Sequence, residues 1–205
     1  MNVATPTLVL ASNNAGKLAE LQALFASLGV ALVAQSTLNI PEADEPFHTF
    51  VENALAKARH ASLHSGLPAI ADDAGLCVDA FGGLPGVQTA FYCTQFGYPK
   101  SDDNNRKALL EQMLGITERR AALVSTLVAV RSPQDPEPLI ATGRAVGEIT
   151  TEPMGDKGFG FDPVMWIPSK GKTFAQMTEE EKNALSHRGQ AARAMLALMQ
   201  MRWFA

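Results

Sequence analysis

Cysteine is nearly missing from this chain: only Cys77 and Cys93 occur among 205 residues. With no C-x-x-C pair and no metal-finger spacing, both are read as reduced, packed thiols, which excludes a disulfide scaffold and a zinc finger. An excess of basic residues is lacking too. Lys and Arg number 17 against 21 Asp and Glu, a formal charge of −4, so no broad cationic surface is on offer for polymeric nucleic acid. Long apolar runs are also wanting. The longest, Ala121 to Val130, lies between Arg120 and Arg131 and has about half of the ~20 residues that a membrane helix needs. Thr7 to Ala11 is shorter still and follows no basic region, so it does not read as a signal sequence. These absences lead us to expect a soluble, cytoplasmic protein with no membrane partner. What is present, 46% hydrophobic and 19% charged residues without repeats or a low-complexity linker, is the make-up of a globular chain of one or two domains with a sizeable core.

The hydrophobic pattern alternates between strand and helix periods. Thr7 to Ala11 is a continuous apolar run suited to a strand covered on both faces. After Ser12-Asn13-Asn14-Ala15-Gly16, the residues Leu18, Leu21, Leu24, Phe25 and Leu28 fall on one helical stripe, and Gly29 is a suitable stop. Val30 to Ala34 reads as a second strand, which makes a βαβ opening. A Pro- and acid-rich connection, Ile40 to Pro46, leads to Thr49-x-x-Glu52, a capping box for a helix that runs to about His64 and closes at Gly66. Ala69-Ile70-Ala71 is predicted as a short strand ending at Asp72-Asp73-Ala74-Gly75. A helix follows the polar run at 101–105 and ends near Leu114. Leu123–Val130 and Leu139–Ile149 are expected to form an antiparallel hairpin, and Val164–Ile167 is the last strand expected. Thr178-x-x-Glu181 is a second capping box, and Ser186 caps a final helix carrying Ala192, Met195, Leu196 and Met199. The fold class is mixed α/β.

Four segments carry candidate chemistry. Ser12 to Lys17 joins a strand to a helix N-terminus, where unpaired N–H groups attract anions and Lys17 adds a cation; the alternative is a plain N-cap with a solvated lysine. Asp72-Asp73, with Glu42, Asp44 and Glu45 on the earlier loop, offers hard oxygens for Mg²⁺ and for orienting a water. Neighbouring strand residues point to opposite faces, however, so the pair can share a ligand only if Ala74-Gly75 turns the chain; otherwise it is a turn or a cap. In Gly158-Phe159-Gly160-Phe161-Asp162-Pro163, two glycines permit close approach and two aromatic faces suit a base, or the phenylalanines are core. Lys182 and Ser186-His187-Arg188 supply directed donors at a helix start, or are surface residues. His60 and His64, at i and i+4, are only a weak metal signal.

In this order the motifs resemble the inosine/xanthosine triphosphate pyrophosphatases, which hydrolyse non-canonical purine nucleoside triphosphates. The matching stretches are Leu8-Val-Leu-Ala-Ser-Asn-Asn-Ala-Gly-Lys17 with Glu20, Thr49-Phe-Val-Glu-Asn-Ala-Leu-Ala-Lys-Ala58, Ala71-Asp-Asp-Ala-Gly-Leu76 with Gly82-Gly-Leu-Pro-Gly86, Gly158 to Pro163, and Lys182 with Ser186-His-Arg-Gly189. The resemblance implies one two-lobed, mixed-sheet pyrophosphatase domain over residues 1–205, with the active cleft between lobes. It further implies a Mg²⁺-dependent homodimer acting on a purine nucleoside triphosphate (ITP, dITP or XTP) and releasing the monophosphate and pyrophosphate.

By the same resemblance, Ser12, Asn13, Asn14, Ala15, Gly16 and Lys17 hold the triphosphate, with Lys57 and Ala74 near it. Glu45 and Asp73 serve the metal, and Asp73, supported by Asp72, takes the proton of the attacking water. Phe159, Gly160, Phe161, Asp162, Lys182, His187 and Arg188 form the base pocket, His187 and Arg188 donating to the 6-carbonyl that adenine lacks. Two positions depart from the family pattern. Ala74 stands where serine is frequent, and Lys157 where glycine is common. Phe91-Tyr92 and Trp203-Phe204 are candidates for a dimer interface. A pyrimidine-directed pyrophosphatase and a non-catalytic nucleotide-binding module are the rival readings.

Overall fold

A computed structural model describes residues 7–26 and 29–204; Leu28, the last position of the first helical stripe, lies outside them. Strand β1 (Thr7–Leu10), helix α1 (Ala15–Ala26) and strand β2 (Ala31–Ala34) form the expected βαβ opening, with β1 and β2 paired in parallel. Gly29 turns the chain at φ +75°. Helix α2 (Phe50–Ser65) starts at Thr49, whose hydroxyl accepts from the Glu52 N–H, and closes at Gly66. The reciprocal half of the capping box is different from the expectation: Glu52 Oε2 accepts from the Thr49 hydroxyl at 2.5 Å.

Strand β3 (Ala69–Val78) pairs in parallel with β1 and carries the main correction to the predicted elements. It does not stop at Asp72 but continues extended through Asp73, Ala74 and Gly75. Helix α3 (Asp102–Gln112) is capped by Ser101. Strands β4 (Arg120–Val130) and β5 (Leu139–Ile149) are joined by a short turn, and Ile149 N donates to Arg119 O at the far end, which closes the hairpin as antiparallel. Strand β6 (Met165–Ile167) is not the last: β7 (Lys172–Thr173) pairs antiparallel with it. Helix α4 (Glu179–Leu185) has the full capping box at Thr178 and Glu181, and α5 (His187–Arg202) follows Ser186. The seven strands form one open, mixed sheet in the order β2-β1-β3-β4-β5-β6-β7.

The chain divides into two compact units: unit 1 comprises Met1–Asp73, Ser125–Gly143 and Arg188–Ala205, and unit 2 comprises Ala74–Val124 and Arg144–His187. In unit 1 the strand period sorts side chains into two layers. Leu8, Leu10 and Ile70 pack with Leu21 and Phe25 of α1 and Ala192, Met195 and Met199 of α5. Val9, Ala11, Ala69 and Ala71 pack with Ala58 and Ala61 of α2. This double cover explains the uninterrupted apolar run of β1, and each large buried side chain contributes about 1.5–3 kcal/mol. Unit 2 has its own core, including Leu76, Tyr92, Leu109, Met113, Phe161, Val164, Met165 and Phe174. Cys77 and Cys93 are both free thiols. Both interface candidates split: Phe91 and Phe204 are exposed, Tyr92 is buried and Trp203 is partly buried against the unit 1 core. Among the described residues no helix is long and apolar enough to cross a membrane.

Candidate active site

Because β3 stays extended, Asp72 and Asp73 inherit opposite faces. Asp72 follows Ile70 into the layer of α1 and α5, and Asp73 follows Ala71 into the layer of α2. The partners obey that division. Asp72 Oδ2 lies 3.1 Å from Lys17 Nζ on α1 and 3.3 Å from Arg188 Nε on α5, while Oδ1 accepts from the Ser125 hydroxyl of β4 at 2.6 Å. Arg188 Nη1 also donates to Glu20 Oε2 at 3.0 Å. Asp73 Oδ1 accepts from Lys57 Nζ of α2 at 2.9 Å, and its Oδ2 accepts from Asn53 Nδ2 at 3.3 Å. Lys57 reaches further, to Glu45 Oε2 at 2.7 Å and Asp72 O at 3.0 Å. All of these residues belong to unit 1.

The two aspartates therefore differ electrostatically. Burial opposes the Asp72 charge, but Lys17, Arg188 and the Ser125 hydroxyl outweigh it and hold the carboxyl well below the usual carboxylate range. Burial dominates at Asp73, whose carboxyl is pushed up to about 6 against the pull of Lys57 and Lys17, with Glu45 adding to the rise. Burial also acts on Lys57, yet Asp73 and Glu45 raise its pKa. At Lys17, burial together with Arg188 and Lys57 prevails over Asp72, and the pKa falls.

The loop before α1 is partly spent on capping. Lys17 N donates to Asn14 Oδ1 at 3.0 Å, which makes Asn14 the N-cap, and Asn14 N donates to the Ser12 hydroxyl at 3.3 Å. Asn13 Oδ1 accepts from the buried Gln35. Ala15 and Gly16 form the first turn, where N–H groups have no intrahelical acceptor.

In unit 2, the segment 158–162 is held on itself. Asp162 Oδ2 accepts from Phe159 N and from Lys182 Nζ, each at 2.9 Å, and the Lys182 ammonium stands 5.0 Å from the centre of the Phe159 ring. Phe159 is half-buried, whereas Phe161 is core and 4% exposed. Gly158 must be glycine: a Cβ there would meet Asp162 Oδ2 at 2.1 Å, and its φ is +74°. Gly160 N donates to Asp102 and Gly160 O accepts from Arg106. His187 is buried at the start of α5, and Ala74 lies in β3 as the first residue of this unit.

The Ham1 family model matches residues 8–198. The chain belongs to the Ham1 family. Proteins named dITP/XTP pyrophosphatase from Albidiferax ferrireducens and Paracidovorax citrulli are 75% and 74% identical to it, each over 96% of this chain and 98% and 99% of the relative. A solved HAM1 protein from Coxiella burnetii superposes with a TM-score of 0.87 at 39% identity, covering 96% of this chain and 99% of that one.

Within this Ham1 chain, two partners of the aspartates, Asn53 and Ser125, escaped sequence reasoning as site residues, as did Glu20, the second partner of Arg188. The available signal was an amide one turn before Lys57 in an alanine-rich helix, and a hydroxyl inside the apolar run of β4. Arg188, read as a donor to the base, meets Asp72 and Glu20 through its Nε and Nη1. Lys157, at the second departure from the family pattern, is exposed and its N–H donates to Ala175 O. Among the described residues no group of three or more His, Cys, Asp or Glu is arranged to enclose a metal. Glu45 and Asp73 nonetheless hold one cationic group between them, the Lys57 ammonium. Two hard carboxylates are a donor set that fits a divalent cation bringing its own waters and substrate phosphates.

Proposed function

We propose that this chain is a nucleoside-triphosphate pyrophosphatase that hydrolyses non-canonical purine nucleoside triphosphates, ITP, dITP and XTP, to the monophosphate and pyrophosphate, and so cleanses the nucleotide pool. The observation that carries the reading is the division of the Asp72-Asp73 pair: one carboxylate locked as an anion among cations, the other raised toward neutral pH beside a lysine. A binding module has no use for such a pair next to a polyanion, whereas a hydrolase needs a proton acceptor. The high identity to chains named dITP/XTP pyrophosphatase supports the substrate class.

In this proposal Ser12, Asn13 and the first-turn N–H groups of Ala15 and Gly16 meet the triphosphate, with Asn14 shaping the turn. Lys17, Lys57 and Arg188 neutralise its charge, so that water approaches a phosphorus it is otherwise repelled from. Asp73 orients that water and accepts its proton; Asp72 keeps Lys17 and Arg188 in place. Glu45 and Asp73 would hold Mg²⁺, which supplies charge neutralisation at the phosphates when bound. Phe159, Gly160, Phe161, Asp162, Lys182 and His187, with Ala74 at the edge of β3, frame and read the purine. The enzyme acts as one domain, a cytoplasmic homodimer.

Pyrophosphate release from ITP, XTP, dITP, GTP, ATP, dTTP and UTP, with Mg²⁺ and with EDTA, tests the proposal. Expected is rapid release from ITP, dITP and XTP only, and none in EDTA. A preference for dTTP or UTP would move the chain to the pyrimidine-directed class, and tight binding without release would make it a module.

A further inference from the structure

Two successive peptide groups in unit 2, those on either side of the Gly160 Cα, are gripped by a single helix. Gly160 N donates to Asp102 Oδ2 at 2.8 Å, and Arg106 Nη1 donates to Gly160 O at 2.6 Å. Asp102 is the first residue of α3 and Arg106 stands four residues on, so both side chains leave the same helical face. Arg106 is itself held by Asp103 and is 17% exposed as a side chain. Both bonds involve a charged side chain, the stronger class of hydrogen bond.

The segment they grip needs such anchors. Gly158 and Gly160 both adopt positive φ, +74° and +61°, and glycine of itself specifies no conformation. Asp162 ties the segment at Phe159 N and at Lys182. Asp162 N also donates to Phe159 O at 3.2 Å, which closes the turn, while the Gly160 N–H and C=O are held by α3.

We infer that Asp102 and Arg106 are positioning residues for base recognition: by fixing the peptide groups on either side of Gly160 they hold the Phe159 ring and the Asp162–Lys182 pair in the arrangement that reads the purine. The inference rests on the reading that segment 159–162 contacts the base. Neither residue touches the reacting phosphates, so their removal acts on affinity for the base and on base choice, not on the chemical step.

The test is steady-state pyrophosphate release by Asp102→Ala and Arg106→Ala, with inorganic tripolyphosphate as a competitive inhibitor that lacks a base. Each variant is expected to raise KM for dITP about tenfold, as suits the loss of one charge-assisted bond. Turnover at saturation and the tripolyphosphate Ki stay near wild type, and the preference for dITP over dGTP and dATP falls with the rise in KM. Asp102→Asn, which keeps an acceptor oxygen, restores most of the KM. An unchanged dITP KM and base preference in both alanine variants would overturn the inference, as would a tripolyphosphate Ki rising in step with KM. Should the alanine variants fail to unfold cooperatively, Asp102→Asn against Asp102→Leu decides, equal KM values in the two counting against the inference. Failure of the wild type itself to release pyrophosphate from any purine triphosphate would sink the underlying reading instead.

Discussion

Burial pushes the Asp73 carboxyl up to about 6 although Lys57 lies 2.9 Å away, so the folded protein holds this proton more tightly than the unfolded chain, whose carboxyl titrates near the ordinary value of 3.8. The raised value means that ionising Asp73 destabilises the fold: stability is lost as pH rises from about 4 through about 6 and stays lower above. Asp73→Asn removes that penalty. In EDTA and without nucleotide, the variant should therefore melt higher than wild type at pH 8, by about 1–3 kcal/mol, with the gap closing below pH 4. The same substitution should preserve nucleotide affinity while lowering turnover by ~10²–10⁴-fold. Thermal melts across pH and pyrophosphate assays check both, and near-wild-type turnover would remove Asp73 from the proton-acceptor role. At this scale the sequence singled out the charged residues but was silent about their pairing. Lys17, Lys57, Asp72 and Asp73 stand out by type and motif. That Asp72 meets Arg188, 116 residues away, has no counterpart in local spacing.

Elements with strong local signals were legible in advance: the βαβ opening, α2 and α4 from their caps, α5 from its apolar stripe. The failures have physical causes. Asp and Gly disfavour strands, so Asp72 to Gly75 read as a turn; in the folded chain β3 lies between β1 and β4, and sheet pairing overrides that preference. The 3₁₀ helix at Gly86–Phe96 and the two-residue strand β7 carry no usable period. Close approach between β5 and β6 was likewise invisible. A Cβ on Gly147 would lie 2.1 Å from the Trp166 carbonyl oxygen, whereas one on Gly171, with φ +60°, would meet nothing within 4 Å. Gly147→Ala should accordingly cost about 1–3 kcal/mol or more by forcing the strands apart, and Gly171→Ala about 1–2 kcal/mol from backbone strain alone. Denaturant titration of the two variants separates the effects; equal losses would mean that β6 yields at no cost.

At the level of the whole molecule, unit 1 is assembled from three separated stretches of chain, and the chain passes from one unit to the other beside Asp73, Ser125 and Arg188. A protein ending at His187 lacks α5 and with it Ala191, Ala192, Met195, Leu196 and Met199 of the unit 1 core. It also leaves the buried Asp72 without its guanidinium, a loss in the class of about 3–5 kcal/mol for a broken buried pair. Such a truncated chain should show no cooperative melt and should bind a hydrophobic dye such as ANS; a sharp transition near that of the full chain would contradict the packing assigned to α5. The ion pair between Asp72 and Arg188 also has a meaning in time. During synthesis the anion is made first, and its partner emerges 116 residues later, on the order of 6–23 s at 5–20 residues per second. Until then the carboxylate has no guanidinium to justify its burial. The contact between Asp72 and Arg188 thus doubles as a seal closed only on a nearly finished chain.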